Sequence, residues 1–195
     1  MASVGMRYVV AAPITGESSG SLTYGTVQVL KGVEANLAWE LDDSKLYADD
    51  AVEESEGSIS GYTLDLTVDH LTDAQEAALI GREKIGSTDE YEVTDNPAPY
   101  SGTGYVRVLK KNGVRKFQAF FYPRLQLTMQ NETARTREAT TTWGTPQMHG
   151  IGMAHYESST GKNKFRRQQT FETMAAAITM SSCFPAKASG RWSSL

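Results

Sequence analysis

Asn112-Gly113 stands between two runs, Tyr105–Lys111 and Val114–Tyr122, that are rich in β-branched and aromatic residues. An Asn-Gly pair readily adopts the left-handed conformations of a two-residue hairpin loop, so the flanking runs are drawn together as antiparallel strands. Loop length then dictates register. With Lys111 opposite Val114, Val108 meets Phe117 and Val106 meets Ala119, which makes an apolar face. Arg107 meets Gln118 and Leu109 meets Lys116, which makes a mixed one.

Other segments carry the same period of two. A short strand is predicted near Arg7–Ala11, followed by a Gly/Ser/Thr-rich loop over Ile14–Thr23 and alternation at Val27 and Val29. Val33, Ala35, Leu37, Trp39 and Leu41 then alternate with polar residues that include Glu34, Asn36 and Glu40. Over Ser60–His70, Tyr62, Leu64, Leu66 and Val68 alternate with Thr63, Asp65, Thr67 and Asp69. Such patterns describe half-buried strands. Pro123 is expected to end the second hairpin strand, with further strands at Arg124–Met129, Thr136–Trp143, Gln147–Tyr156 and Lys164–Phe171.

One helix is clear. Thr72 is an N-cap with Gln75 three residues on, Asp73 faces the positive helix end, and Gly81 supplies the left-handed stop. Glu172–Cys183 is ambiguous, because Ala175-Ala176-Ala177 favours helix whereas Ile178 and Thr179 do not. The expected fold is therefore mainly β: an antiparallel β-sandwich or partly closed barrel with one short flanking α-helix at about 73–80. Residues 1–184 read as one domain and 185–195 as a C-terminal tail.

Composition narrows the functional classes. The 195-residue chain has a net charge of −4, which argues against gripping nucleic acid by bulk charge. Its single cysteine, Cys183, excludes an internal disulfide framework and a multi-cysteine zinc site. No apolar run reaches the roughly 20 residues of a spanning helix, and residues 1–12 lack a signal-peptide layout. The expectation is a soluble, non-membrane protein without a cofactor. His149 and His155 are too far apart along a strand to share a metal. Cys183 lacks a nucleophile signature, and Ser101-Gly102-Thr103-Gly104 has no phosphate-loop lysine and reads as a turn.

Charge is distributed unevenly. Asp42, Asp43, Asp49, Asp50, Glu53, Glu54 and Glu56, with Glu40 before them, face a single Lys45. Such a block repels itself and is predicted to be an extended loop. A catalytic carboxylic acid needs an apolar pocket to raise its pKa, which this polar setting lacks. Arg107, Lys110, Lys111, Arg115 and Lys116 cluster around the hairpin, and Lys162, Lys164, Arg166 and Arg167 lie further on. Clusters of this kind are ordinary solvated surface on pattern alone; the sharper reading is head-to-tail self-association, in which a negative region of one copy meets a positive region of the next and closes a ring or propagates.

Ordered pieces run through most of residues 4–156. They are Val4-Gly5-Met6, Leu22-Thr23-Tyr24-Gly25-Thr26, Leu30-Lys31-Gly32-Val33 and Lys45-Leu46-Tyr47-Ala48-Asp49-Asp50. Then come Gly61-Tyr62-Thr63-Leu64-Asp65-Leu66, Leu79-Ile80-Gly81, Ala98-Pro99-Tyr100, Leu109-Lys110-Lys111-Asn112-Gly113 and Trp143-Gly144-Thr145-Pro146. In this order they resemble the major tail protein family of long-tailed, non-contractile bacteriophages.

The resemblance implies a non-enzymatic virion subunit, assembled in the bacterial host cytoplasm. It would form stacked, usually hexameric rings that enclose the passage for double-stranded DNA. Tape-measure, tail-tip and terminator proteins are the implied partners. The segment at about Leu41–Ser58 is then an inter-ring contact, and the basic hairpin lies between subunits or outside. Four strands from each of six subunits, spaced ~4.8 Å and tilted ~40°, give a backbone barrel roughly 45–50 Å across. The polar residues Glu34, Asn36, Glu40, Thr63, Asp65, Thr67 and Asp69 contain no cation and are predicted to line that bore. From a different class, a virion β-sandwich that binds a host carbohydrate would use Trp39, Tyr100 or Trp143 as its platform, although Trp39 falls on the apolar face. A glycoside hydrolase has only the clustered carboxylates in its favour.

Overall fold

A computed structural model describes residues 2–18, 20–48, 51–130 and 144–182. In chain order the elements begin with β1 (Ala2–Ser18), β2 (Ser21–Tyr24), β3 (Gln28–Leu30), β4 (Gly32–Ala48), β5 (Ala51–Val68) and α1 (Asp73–Ile80). They continue with β6 (Glu83–Lys84), β7 (Tyr91–Glu92), β8 (Tyr100–Lys111), β9 (Val114–Met129) and β10 (Gln147–Gly152). The last are β11 (His155–Glu157), β12 (Lys162–Lys164), β13 (Arg167–Phe171) and α2 (Met174–Ser182).

Nine strands form one antiparallel sheet in the order β2-β1-β8-β9-β10-β5-β4, with β3 added to β1 and β13 to β9. The fold is mainly β, as its alternation predicts. The sheet curls until its ends approach: β3 pairs with β1, and only Lys31 separates β3 from β4. A Cβ on Gly32 would overlap the side chains of Val9 and Met6, so glycine permits that close return. Among the described residues no pairing joins β4 to β1, and the barrel stays open.

The concave side holds the main core. Val9 and Ala11 of β1, Leu64 and Leu66 of β5, and Leu125 and Leu127 of β9 pack there with Leu79 of α1. Burying side chains of this kind stabilises a fold by about 1.5–3 kcal/mol each for the larger aliphatics. Tyr62, Tyr105, Phe120 and Tyr122 add an aromatic layer with ring centroids 5.1–6.1 Å apart. On the opposite face Val106 and Ala119 are covered by Ala177 and Met180 of α2. α2 settles the ambiguous segment in favour of helix: its buried face supplies the tertiary contact that weak propensity lacks. α1 has the predicted capping box and a left-handed Gly81, with φ 88°.

The hairpin has the predicted register at all five pairs named above, from Lys111↔Val114 to Val106↔Ala119. Several other expectations are corrected. β9 does not stop at Pro123. It runs on to Met129 because one residue, Gly102, faces two, Pro123 and Arg124, between the pairs Ser101↔Leu125 and Thr103↔Tyr122. A bulge is where a strand tolerates a residue without an N–H. Ser101-Gly102-Thr103-Gly104 is accordingly not a turn but the buried interior of β8, with Ser101 Oγ donating to the Leu125 carbonyl at 3.2 Å. β1 extends well past Arg7–Ala11 into the predicted loop, where β2 pairs with it. Gln147–Tyr156 is broken into β10 and β11, and Lys164–Phe171 into the end of β12 and β13. The strand predicted at Thr136–Trp143, and Cys183 with the 185–195 tail, lie outside the described residues.

Candidate functional site

The segment predicted as an acidic loop is instead strand. β4 and β5 pair from Gly32↔Val68 to Ala48↔Ala51. Net charge alone suggests repulsion, but cross-strand neighbours decide the outcome. The register places Asp42 opposite Ser58, Asp43 opposite Gly57, Glu56 opposite Ser44, Lys45 opposite Ser55 and Glu54 opposite Leu46. Glu53 falls at the irregularity between Leu46↔Glu54 and Tyr47↔Val52. Among these described pairs no carboxylate residue directly opposes another. Asp49 and Asp50 lie outside the described residues.

β5 has β10 as its second neighbour only over Tyr62–Thr67. Beyond that point Leu41–Ala48 and Ala51–Ile59 pair with each other as a two-stranded ribbon. At ~3.3 Å per residue its eight-residue arm extends about 25 Å. Leu41 and Ile59 face each other at its base and are 69% and 43% exposed. The extra β4 residue between Gly32↔Val68 and Glu34↔Thr67 rotates Val33 out of the apolar row, leaving Ala35, Leu37 and Trp39 against the core; the irregularity beside Leu41 lies on β5, at Ser60.

The reverse face of the central strands is polar and, among the described residues, uncovered. β4 contributes Glu34, Asn36, Ala38 and Glu40, and β5 contributes Thr63, Asp65 and Thr67. The pairings Glu34↔Thr67, Asn36↔Asp65, Ala38↔Thr63 and Glu40↔Gly61 bring six of the seven predicted bore residues together. The seventh, Asp69, lies one residue beyond β5, its N–H bonded to the Lys31 carbonyl at 2.8 Å. Two further strands, expected from sequence but not placed on this face by it, extend it. Gln147, His149 and Ile151 of β10 pair with Thr67, Asp65 and Thr63, and Thr128 and Gln126 of β9 pair with His149 and Ile151. Their period is as regular as that of β5, but without the pairing order nothing on the sequence places them beside it.

Charge on this face is acidic. Neither lysine nor arginine occupies its β4, β5 or β10 positions. His149 Nδ1 lies 2.5 Å from Asp65 Oδ1 across the strands. Glu34, Asn36, Asp65, Thr67, Gln130 and Gln147 line a shallow depression at one end. At the other end Arg124 is held off the face's centre, 3.2 Å from Glu17 and stacked 4.7 Å from the Tyr100 ring centroid.

The two basic clusters separate. Around the hairpin Lys110 and Arg115 are directly paired and exposed, Lys111 is exposed, and Lys116 lies 3.6 Å from Glu172. Arg107 donates to Gln118 Oε1 at 2.9 Å and stacks 4.7 Å from the Phe120 centroid. In the second cluster Lys164 and Arg167 both engage Glu157, Arg167 at 2.8 Å. The Lys164 ammonium chiefly holds the Glu157 carboxyl below its ordinary range. Arg166 lies over Trp39 at 5.1 Å and over Phe120 at 5.4 Å.

Trp39 is half-buried against Tyr62 and Phe165, so it is not free to serve as a sugar platform. Tyr100 is covered by Arg124, and Trp143 lies outside the described residues. His149 and His155 belong to different strands, His155 being buried. Among the described residues, no group of three His, Cys, Asp or Glu side chains is placed to hold a metal, and no helix is long and apolar enough to cross a membrane. No protein-family model matches the chain, and no curated protein matches it.

Proposed function

We propose that this chain is the subunit of a phage tail tube, polymerising into stacked, six-membered rings through whose bore double-stranded DNA passes. The observation that carries the reading is the four-strand face of β4, β5, β10 and β9, uncovered among the described residues, whose β4, β5 and β10 positions carry acids, amides and hydroxyls beside Ala38, His149 and Ile151 but no lysine or arginine. A conduit must not hold its cargo. Each phosphate neutralised by Lys or Arg strengthens binding by counterion release, whereas carboxylates repel and hydroxyls bind weakly. Four strands per subunit is also the number that gives a bore wide enough for a duplex in a six-membered ring.

Two further features support it. The β4–β5 ribbon leaves the sheet as an arm of about 25 Å, long enough to reach from one ring to the next. An isolated two-stranded ribbon is marginal in water and gains from a surface to lie on. Among the described residues no strand pairs with the outer edge of β4, whose backbone groups a neighbouring sheet would satisfy. Tape-measure, tail-tip and terminator proteins are the proposed heterologous partners, and catalysis forms no part of the role.

Negative-stain microscopy of the purified protein tests the proposal. Rings or hollow tubes are expected. A monodisperse monomer that binds glycan would support a carbohydrate-binding virion module instead, and turnover of chromogenic glycosides would support a hydrolase.

A further inference from the structure

One cation borders the polar face. Leu125 and Leu127 of β9 point into the core, so alternation sets Arg124, Gln126 and Thr128 on the reverse side, level with His149 and Ile151 of β10. Tyr100 shares that side, because it pairs with Gln126 whereas Ser101, next to it, is buried opposite Leu125. Among residues 34–40, 61–67, 124–129 and 147–152, Arg124 is the one lysine or arginine.

Its charge is compensated from β1. Arg124 Nη1 donates to Glu17 Oε2 at 3.2 Å, and the guanidinium lies over the Tyr100 ring, 4.7 Å from the centroid. A bulge brings the acid there. Ile14 pairs with Tyr24 and Glu17 with Leu22, an odd spacing on β1 against an even one on β2, because Thr15 is an extra residue between Ile14↔Tyr24 and Gly16↔Thr23. Without that extra residue Glu17 would face away from Arg124, and re-aiming a side chain is what bulges do.

The two partners are not held equally. The Glu17 side chain is 47% exposed, whereas that of Arg124 is 27% exposed, with its Nε buried. Stacking engages the flat face of a guanidinium and leaves its N–H edge to an anion. Removing Glu17 therefore leaves a positioned arginine without its carboxylate, beside a cavity of about 270 Å³ that Glu17, Tyr100 and Arg124 help to line.

We infer that Glu17 is a charge mask: it neutralises the one arginine of the DNA-facing surface, so that the margin of the face, like its centre, presents no free cation to a phosphate backbone. This deepens the conduit reading proposed above and rests on it. An arginine already paired with a carboxylate displaces few counterions from DNA, whereas a bare one adds a phosphate contact in every copy.

Filter binding of duplex DNA to the assembled protein across a salt series tests the mask, with sedimentation to check assembly of each variant. Glu17→Gln, and Glu17→Ser as a second removal of the charge, should retain duplex where wild type does not. The dependence of log K on log salt should steepen by about 0.9 for each Arg124 that meets a phosphate. Combining Glu17→Gln with Arg124→Gln should abolish that retention although the acid is still missing. Glu34→Gln, which removes a carboxylate from the same face without baring an arginine, should not retain duplex. Equal retention by Glu17→Gln and Glu34→Gln, or retention that survives Arg124→Gln, overturns the inference. So does failure of both Glu17 variants to assemble, which would make the acid a structural residue instead. No retention by the Glu17 variants while Asn36→Lys retains overturns it and leaves the conduit reading in place. If Asn36→Lys also fails to retain, or wild type itself retains, both fall.

Discussion

Tyr24 and Tyr62 donate their hydroxyls to consecutive carbonyls, those of Pro123 and Arg124, at 2.9 and 3.1 Å from opposite sides of the sheet. Tyr62 packs with Val9 and Ala11, Tyr24 with Val10 and Ala12. The bulge that admits Pro123 into β9 interrupts the ladder, and a buried carbonyl without a partner is costly. Two tyrosines pin the irregularity from both faces. The bulge in turn sets which side chains of β9 reach the polar face, because Tyr122 and Leu125 both point into the core across it.

Removing either hydroxyl should therefore destabilise the fold unequally. Tyr24→Phe is expected to cost about 1–2 kcal/mol. Tyr62→Phe should cost less, because the Arg124 carbonyl also accepts from the Met153 N–H at 3.2 Å. Urea unfolding of the two variants against the parent measures both values, and an equal or reversed order contradicts the bulge-pinning account.

Burial, the largest cause, pushes the Tyr24, Tyr62 and Tyr122 hydroxyls far above their ordinary value of 10.0. A raised acid pKa means that the folded state keeps a proton the unfolded chain releases. Stability should hold up to about pH 10 and fall as pH rises beyond it. Absorbance at 295 nm should show these phenolates appearing only with unfolding.

Glu157 has the opposite sign. Hydrogen bonding from Lys164, aided by Thr160 and Arg167, lowers its pKa from the ordinary 4.5. Its contribution is complete above that value and is lost as pH falls through the lowered one. Glu157→Gln should destabilise the protein at pH 7 by about 1–3 kcal/mol and flatten the stability profile below pH ~4.5. Denaturant titrations at pH 7 and pH 3 check both parts.

Gly152 pairs with Tyr62, and a Cβ there would overlap the Tyr62 ring. Gly152→Ala should cost about 1–3 kcal/mol by overpacking. It should also perturb near-ultraviolet circular dichroism, since Tyr62 contacts Trp39 and Tyr122.

A cation placed on the polar face should convert a passage into a trap. Asn36→Lys and Thr63→Lys, both at positions of that face, should retain duplex DNA where wild-type assemblies do not. Each added lysine is expected to steepen the dependence of log K on log salt by about 0.9. Filter binding across a salt series reads this directly.

Much of the framework was legible because local rules and tertiary packing agree. The Asn112-Gly113 loop sets the hairpin register, Thr72 and Gln75 bound α1, and alternation finds the polar rows of β4 and β5. Three things were not. Pro123 reads as a strand end because its bulge needs Gly102, far away in sequence, as the facing residue. The 40–56 block reads as a loop because summed charge ignores the register that interleaves its acids with Ser, Gly and Leu. Gln126, Thr128, Gln147 and His149 could be seen as alternating, but their membership of the polar face depends on β10 lying between β5 and β9.

A cryo-electron microscopy reconstruction of the assembled protein bears most directly on the central claim. The account predicts a hollow tube whose wall is built of β4, β5, β10 and β9 from each copy, with Glu34, Asn36, Asp65, Thr67 and His149 facing the empty bore. Density that turns this face outward, or a bore lined by Lys110, Lys111 and Arg115, would contradict it.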